Sequence, residues 1–343
     1  MSCDIIIPVW NKKDITEKSI KSIIQNTYHS YKLIIIDNGS EEFTENYLQS
    51  LKNNKGLQLD LIRNEKNLGF TKAVNQGIKK SKGEYVCVLN NDALPMDGWL
   101  TEMINVAESS SEIGLVNPRS NTLGHKPVKN ELLKDYVERL KNDNKGQWVE
   151  IGSAIGFCML IKRAVIDKIG YLNEIYSPGY FDDTEYSLRA KRAGYKSVVA
   201  KGAYVYHKEH STFKAKNLEK YFGRNQEIFY KEFSKPRRIL YVLTKENKEY
   251  FKKLKEEIYN LAQERNWIKI FIKGSLSQLD LVKHGHIKVI LISPIFFKIH
   301  SIFNILVKKK KFTQIYVDDK KLFNILNNLR RSHKANIEMI KSL

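Results

Sequence analysis

Cysteine is scarce: Cys3, Cys87 and Cys158 are the three residues of this type among 343. An odd, scattered set gives no disulfide framework and no CxxC metal pair, and Cys87 and Cys158 sit in apolar runs as small hydrophobes. Long apolar runs are missing too. The nearest, Val289–Val307, is interrupted by Pro294, Lys298, His300 and Asn304, which argues against a transmembrane helix. The first residues lack the basic and apolar regions of a signal peptide, so the expectation is a reduced, cytoplasmic protein. The turn after the first apolar run, PVWNKKD, has no GxGxxG, which argues against a dinucleotide-binding oxidoreductase. Acidic residues run short in one region. Residues 235–343 carry 24 Lys/Arg against 9 Asp/Glu, net +15, whereas residues 1–234 carry 34 against 29, net +5. A uniformly basic nucleic-acid binder would not partition charge this way, and no nucleic-acid partner is expected. The asymmetry suggests two domains with different duties, 1–234 and 235–343.

The chain does have material for two cores: 42% of its residues are hydrophobic and 11% aromatic, over a length that suits one large domain or two ordinary ones. The first half alternates short β-rich runs with amphipathic helical ones. Asp4–Val9 reads as a buried strand, then a helix capped by Asp14 with Glu17 three residues on, its inner face made by Ile20, Ile23 and Ile24. Lys32–Ile36 is the next strand; Leu57–Ile62, a helix over Thr71–Lys80 and the strand Tyr85–Leu89 follow. Such alternation predicts a parallel, doubly wound α/β sheet. Residues 117–150 are polar and irregular, with a helix near Leu132–Leu140. An apolar block, Ile151–Ile161, precedes FDDTEYSLRAKRAGY (181–195), a helix opened by acids, packing through Tyr186, Leu188 and Ala193 and stopped by Gly194.

After Lys235-Pro236 the pattern restarts. Residues 238–243, 267–272, 287–292 and 313–317 read as four strands with helices between, and Phe251, Leu254, Ile258 and Leu261 form a helical stripe. This predicts a smaller Rossmann-like α/β domain.

Parallel sheets bind ligands beyond the carboxyl ends of their strands. Three polar clusters fall at those ends: Trp10-Asn11, Asp37-Asn38-Gly39-Ser40 and Asn90-Asn91-Asp92. Asp92 has two readings, a strand-end turn residue or a metal ligand.

Seven segments in order, IIIPVWNKKD, IIIDNGS, NEKNLGFTKAVNQGI, VLNNDALPMDGWL, IGFCMLIKR, YFDDTEYSLRAKRAGY and VYHKEHST, resemble the family 2 glycosyltransferases of GT-A fold, particularly their rhamnosyltransferase-like branch. The resemblance covers about residues 1–235. It implies a nucleotide-sugar donor (UDP- or dTDP-linked), a divalent cation (Mn2+ or Mg2+), and a glycan, lipid-linked or protein acceptor. The inverting displacement it implies comes from the family and not from spacing.

Hard cations take oxygen ligands, and magnesium-type sites use one or two carboxylates plus phosphates. Asp92 occupies the last place of the family's D-x-D motif; here the motif is Asn90-Asn91-Asp92, with one carboxylate where two are common. Asn side chains here, Asn91 included, offer hydrogen bonds to ribose or phosphate. Asp37 and Asn38 stand where relatives grip the base or ribose, the alternative for Asp37 being an Asx turn. The backbone of Pro8, Val9 and Trp10 would line the base, with Trp10 offering a stacking face or being core. Asn67, Gly69 and Lys72 resemble the NxGxxxAxN segment beside the nucleotide, with Gly69 a turn residue and Lys72 facing phosphate or solvent. An acceptor hydroxyl needs a carboxylate base. Asp183 matches the family's base in Asp182-Asp183-Thr184-Glu185, and Asp182 would orient the acceptor; acids at a helix start also suit its dipole. Arg189 and Arg192 read as ion-pair partners of these acids. His207 stands where relatives place a metal or diphosphate ligand, with His210 a lesser candidate.

Ile295, Ile299, Ile302 and Leu306 share a helical face, and four lysines follow at 308–311. That face is core-directed, or it docks on an anionic membrane surface through 295–311, which would make the protein peripheral at the inner face of the membrane. A third reading is recognition of an acidic protein. The rival to an enzyme is a nucleotide-sugar-binding scaffold that has lost turnover with the Asn at 90. A processive synthase is disfavoured by the lack of membrane spans and of a QxxRW-like motif.

Overall fold

The structure is a computed structural model and describes residues 2–208, 218–244, 248–274 and 284–340. Its contacts divide the chain into one unit of 1–149 with 153–233 and a second of 150–152 with 234–343. Among the described residues no helix is long and apolar enough to cross a membrane.

The first unit opens with β1 (Cys3–Val9), α1 (Lys13–Asn26), β2 (Tyr31–Asp37), α2 (Glu42–Ser50), β3 (Leu59–Arg63), α3 (Phe70–Lys80) and β4 (Tyr85–Leu89). It continues with β5 (Ala93–Pro95), α4 (Trp99–Glu108), β6 (Ile113–Arg119), α5 (Leu133–Asn144), β7 (Trp148–Ile151) and β8 (Cys158–Lys162). Then come α6 (Arg163–Ile169), α7 (Asp182–Arg192), β9 (Lys196–His207) and α8 (Leu218–Glu232). The sheet order is β3-β2-β1-β4-β8-β6-β9-β5, with β7 paired to β9. The first four strands are parallel. The near-continuous apolar runs of β1, β2 and β4 follow from burial on both faces. Beyond them the sheet is mixed, with β8 antiparallel to β4 and β6 and β5 antiparallel to β9. This departs from an all-parallel expectation.

Two cores fill the faces of this sheet, one with Ile5, Ile7, Ile35 and Trp99, the other with Ile6, Ile34, Val74 and Tyr186. Each such fully buried aliphatic side chain contributes about 1.5–3 kcal/mol of transfer free energy. Some local expectations change. Asp14 does not cap α1; Lys12 holds the cap position with no side-chain bond, and Glu17 pairs with Lys13 at 2.8 Å and Lys21 at 2.7 Å. Ile24 is exposed, because Thr16 and Ser19 share the inner face with Ile20 and Ile23. On α7 it is Ala190 that is buried with Tyr186 and Leu188. Residues 113–119, Pro118 included, form β6, so the irregular insertion starts later than the composition indicates.

The second unit holds β10 (Arg238–Leu243), α9 (Lys248–Gln263), β11 (Trp267–Lys273), β12 (Ile287–Ile292), α10 (Phe297–Val307), β13 (Gln314–Val317), α11 (Lys320–Asn328), α12 (Arg330–His333) and β14 (Asn336–Met339). All neighbours pair in parallel, in the order β12-β11-β10-β13-β14. The fifth strand, β14, adds to the four read from the sequence. Phe251, Leu254 and Ile258 of α9 are buried against one face.

Candidate active site

β2, β1 and β4 are parallel neighbours, so their carboxyl ends and the three polar clusters share one edge of the sheet. Beyond β1, Trp10 keeps 41% of its surface exposed; it is not a core residue, and an indole face is open to a planar ligand. Pro8 is half-buried and Val9 is buried. The Asn38 N–H donates to the Val9 carbonyl at 2.7 Å. Ser40 Oγ accepts from Asn11 N at 2.9 Å, and Asn11 Oδ1 accepts from Glu41 N at 2.7 Å. The first two strand ends are thereby tied together.

Asp37 is buried, with Oδ1 accepting from Ser40 N at 3.0 Å as an Asx turn would, and Oδ2 paired with the Arg63 guanidinium. Arg63 also pairs with Glu45 at 2.9 Å. Asn38 is fully engaged inside the protein. Its Nδ2 donates to Asn67 Oδ1 at 2.8 Å, and its Oδ1 accepts from Asn64 Nδ2 and Leu68 N, both at 3.0 Å. Asn64 in turn exchanges two 2.8 Å bonds with Gln76 of α3. Asn64 and Gln76 were not singled out from the sequence. Asn38 and Asn67 thus shape the loop that leads to Gly69, which sits at φ 86° where a Cβ would lie 2.7 Å from Pro178 Cα. Only glycine suits that approach. Lys72, on the first turn of α3, is exposed.

At the end of β4, Asn91 is buried and donates to Thr16 Oγ1 of α1 at 2.9 Å, a tie between elements. Asp92 is buried and meets His207, 115 residues away, with Oδ1 and Nε2 3.1 Å apart. The antiparallel register of β5 with β9, Ala93 opposite His207, brings them together. His207 is held further by Asn121, which exchanges two 2.8 Å bonds with its backbone, and by stacking on Phe157 at 4.9 Å between ring centroids. Asn90 Oδ1 is buried without a hydrogen-bond partner. A carboxylate and an imidazole nitrogen in contact are side chains of the types that bind divalent transition-metal ions. Among the described residues there is no group of three or more His, Cys, Asp or Glu side chains that would enclose a metal by themselves. The remaining VYHKEHST candidate, His210, lies outside the described residues with Ser211 and Thr212.

The acids open α7. Phe181 at φ 68° and Tyr180 at φ 73° precede them, a conformation costly for residues with a Cβ, roughly 1–3 kcal/mol each. Asp183 Oδ2 accepts from Gly156 N at 2.9 Å and Oδ1 from Thr184 N at 2.6 Å. Burial raises its pKa despite these donors. Asp182 is buried behind it, accepts from Thr71 Oγ1 of α3 at 3.2 Å, and is pushed up to about 7 by burial and by the neighbouring Asp183 charge. Glu185 is taken by Arg189 at 2.7 Å, whereas Arg192 pairs with Glu232 of α8 at 2.9 Å and not with the motif acids.

Two adjacent residues join the halves of this site. The Gly156 N–H holds Asp183, the Phe157 carbonyl accepts from Asn90 N at 2.8 Å, and the Phe157 ring lies against His207. Asn117 of β6 fixes this loop through Ile155 N and Ile155 O, both at 2.8 Å. The strained 176–181 segment is clamped by Asn225 of α8, whose Nδ2 donates to Tyr176 O at 2.6 Å and Gly179 O at 2.8 Å. Phe181 packs on Phe229 and Phe222 of the same helix, 5.1 and 5.3 Å between centroids. Sequence reading passed over this helix. Its signal is the spacing of Phe222, Asn225, Phe229 and Phe233, one helical face of aromatics with a single amide.

A model described as glycosyl transferase family 2 matches residues 4–170. An uncharacterized glycosyltransferase of Rickettsia bellii is 37% identical over 109 residues, 32% of this chain and 15% of that protein. Glycosyltransferase AglE of Haloferax volcanii is 22% identical over 212 residues, 57% of this chain and 63% of that protein. The chain therefore spans less than two thirds of either relative. A mannosyltransferase from Pyrobaculum calidifontis, solved in complex with GDP-Man and Mn2+, has a TM-score of 0.50 at 17% identity, covering 66% of this chain and 64% of that one. At that identity the likeness is one of fold, the GT-A fold.

Proposed function

Residues 4–170 match the model of glycosyl transferase family 2, and from that match we propose an inverting glycosyltransferase. It moves a sugar from a UDP- or dTDP-linked donor to a hydroxyl of a glycan, lipid-linked or protein acceptor, for a cell-surface glycan or a glycosylated protein. The observation that carries this reading is the meeting of Asp92 and His207 at 3.1 Å, linked through Gly156-Phe157 to Asp183.

The Trp10 face and the backbone of Pro8 and Val9 receive the base, with buried Asp37 ordering the ribose end of that pocket through Ser40 and Arg63. Asn38, Asn67 and Asn91 support that pocket through their bonds to neighbouring elements, and exposed Lys72 is placed to meet phosphate. Asp92 and His207 would hold a divalent cation; the mannosyltransferase was solved with both GDP-Man and Mn2+. When bound, such an ion supplies positive charge to the diphosphate leaving group. Asp183 accepts the proton of the acceptor hydroxyl as its oxygen bonds to the anomeric carbon. The bond from that carbon to the diphosphate oxygen breaks on the opposite side, and the electron pair leaves with the nucleotide. The basic domain of residues 235–343 serves docking.

Asp183→Asn is expected to lower transfer at least about a hundredfold, the lower end of general-base contributions, while UDP- or dTDP-sugar binding by thermal shift stays near wild type. Normal turnover by that variant would overturn the base assignment. A donor screen with and without manganese, including GDP-mannose, reads the nucleotide separately.

A further inference from the structure

In the second unit, α10 is apolar on two opposite sides. Phe297, Ser301 and Ile305 are buried in its core. Facing away on the helix, Ile299, Phe303 and Val307, four residues apart, are 56% to 71% exposed, and in the turn that leads into it Ile295 is 83% and Phe296 61% exposed. At the helical pitch Ile299, Phe303 and Val307 cover an arc of roughly 80°. The sequence reading of Ile295 and Ile299 as core-directed is thereby reversed, while Ile302 and Leu306 lie half-buried at the margin. Adjacent large apolar side chains on one exposed side exceed the scattered exposure of a soluble surface.

Charge frames this ridge. Residues 295–311 contain five lysines and no acid, and Lys309, Lys310 and Lys311 are exposed directly after the helix. The Lys308 ammonium is pushed down to about 8 by burial, with the charges of Lys269, Arg238 and Lys288 adding to the effect. The exposed arc itself has no hydrogen-bonding side chain, so it offers depth and charge but little of the polar rim that a protein interface uses. A second copy would bring one +15 domain against another, which long-range repulsion opposes.

We propose that this face docks on an anionic lipid bilayer, with Ile295, Phe296, Ile299, Phe303 and Val307 entering the acyl boundary and the lysines meeting the headgroups. Lipid docking requires nothing of the transfer reaction, so its test reads binding alone.

The full chain is sedimented with vesicles of phosphatidylcholine alone or mixed with phosphatidylserine. It is expected to bind the mixed vesicles and to stay in solution with the neutral ones. Ile299→Ser with Phe303→Ser should weaken binding at least about tenfold, since apolar burial drives insertion. Lys309→Glu with Lys310→Glu should weaken it more than about 25-fold, at about fivefold for each lysine removed. Both pairs are exposed, and unchanged melting curves establish that they fold. Wild-type chain that ignores anionic vesicles, or a serine variant that binds like wild type, would overturn the proposal. Two further results would also overturn it: a dimer by light scattering that the serine pair abolishes, and binding of polyglutamate in preference to vesicles.

Discussion

Asp182 and Asp183 are adjacent in the chain yet live in different surroundings. Asp183 has two backbone N–H donors to its carboxylate, from Gly156 and Thr184, whereas Asp182 has the Thr71 hydroxyl and deep burial. Two carboxyls this close do not ionise independently, and burial raises both above the ordinary range. The consequence for stability has a definite sign. The folded chain holds a proton on Asp182 up to about 7, while the ordinary value is 3.8. Stability from this group is therefore complete below the ordinary value and is lost as pH rises through the folded one. Asp182→Asn removes that loss. The variant should gain on wild type between about pH 5 and about pH 8, by about 1 kcal/mol or more, in urea melts at the two pH values. A difference that stays flat with pH would contradict the placement of the proton.

At the scale of elements, α8 explains why a strained turn survives beside the acids. Positive φ at Tyr180 and Phe181 persists because Asn225 binds the carbonyls of Tyr176 and Gly179 and because Phe229 and Phe222 seat the Phe181 ring. Asn225→Ala should destabilise by about 1–3 kcal/mol, the cost of orphaned buried acceptors. Transfer should fall at least about tenfold, the scale of a lost supporting partner, while donor affinity stays near wild type. Equal loss of donor affinity would make α8 a general scaffold and not a clamp on the acceptor side. None of this helix was anticipated, whereas β1, β2 and β4 were readable because strands buried on both faces are continuous apolar runs. The meeting of Asp92 with His207 was anticipated only through family resemblance, since a β5–β9 register across 115 residues leaves no local trace. Asn38 illustrates another limit: its residue type suits a ligand, yet its bonds go to Asn64, Asn67 and Leu68. For α10 the helical period was legible and its direction was not, because a helix apolar on both sides has two equivalent choices until packing decides.

For the whole molecule, charge and contacts give the same division. Net charge is +5 over residues 1–234 and +15 over 235–343, and the contact boundary falls at Phe233–Ser234, apart from the short 150–152 segment. Each unit has its own sheet with apolar clusters on both faces, Ile5 and Ile6 marking the two sides in one, Leu240 and Tyr241 in the other. A unit that buries its own core has its own unfolding equilibrium. Calorimetry of the full chain should therefore resolve two transitions. A ligand that binds only folded protein stabilises the unit that holds its site, by about 2.7 kcal/mol at a hundredfold excess over Kd. Every residue assigned here to donor and cation lies in the first unit. Donor nucleotide with manganese should thus raise that unit's transition by roughly 5–10 °C, at 2–4 °C for each kcal/mol in a domain of this size, and leave the other where it was. Salt should separate them in the opposite sense, because screening relieves the self-repulsion of the +15 unit more than that of its neighbour. One cooperative transition moved as a whole by nucleotide would mean that the basic domain is energetically part of the sugar-nucleotide site.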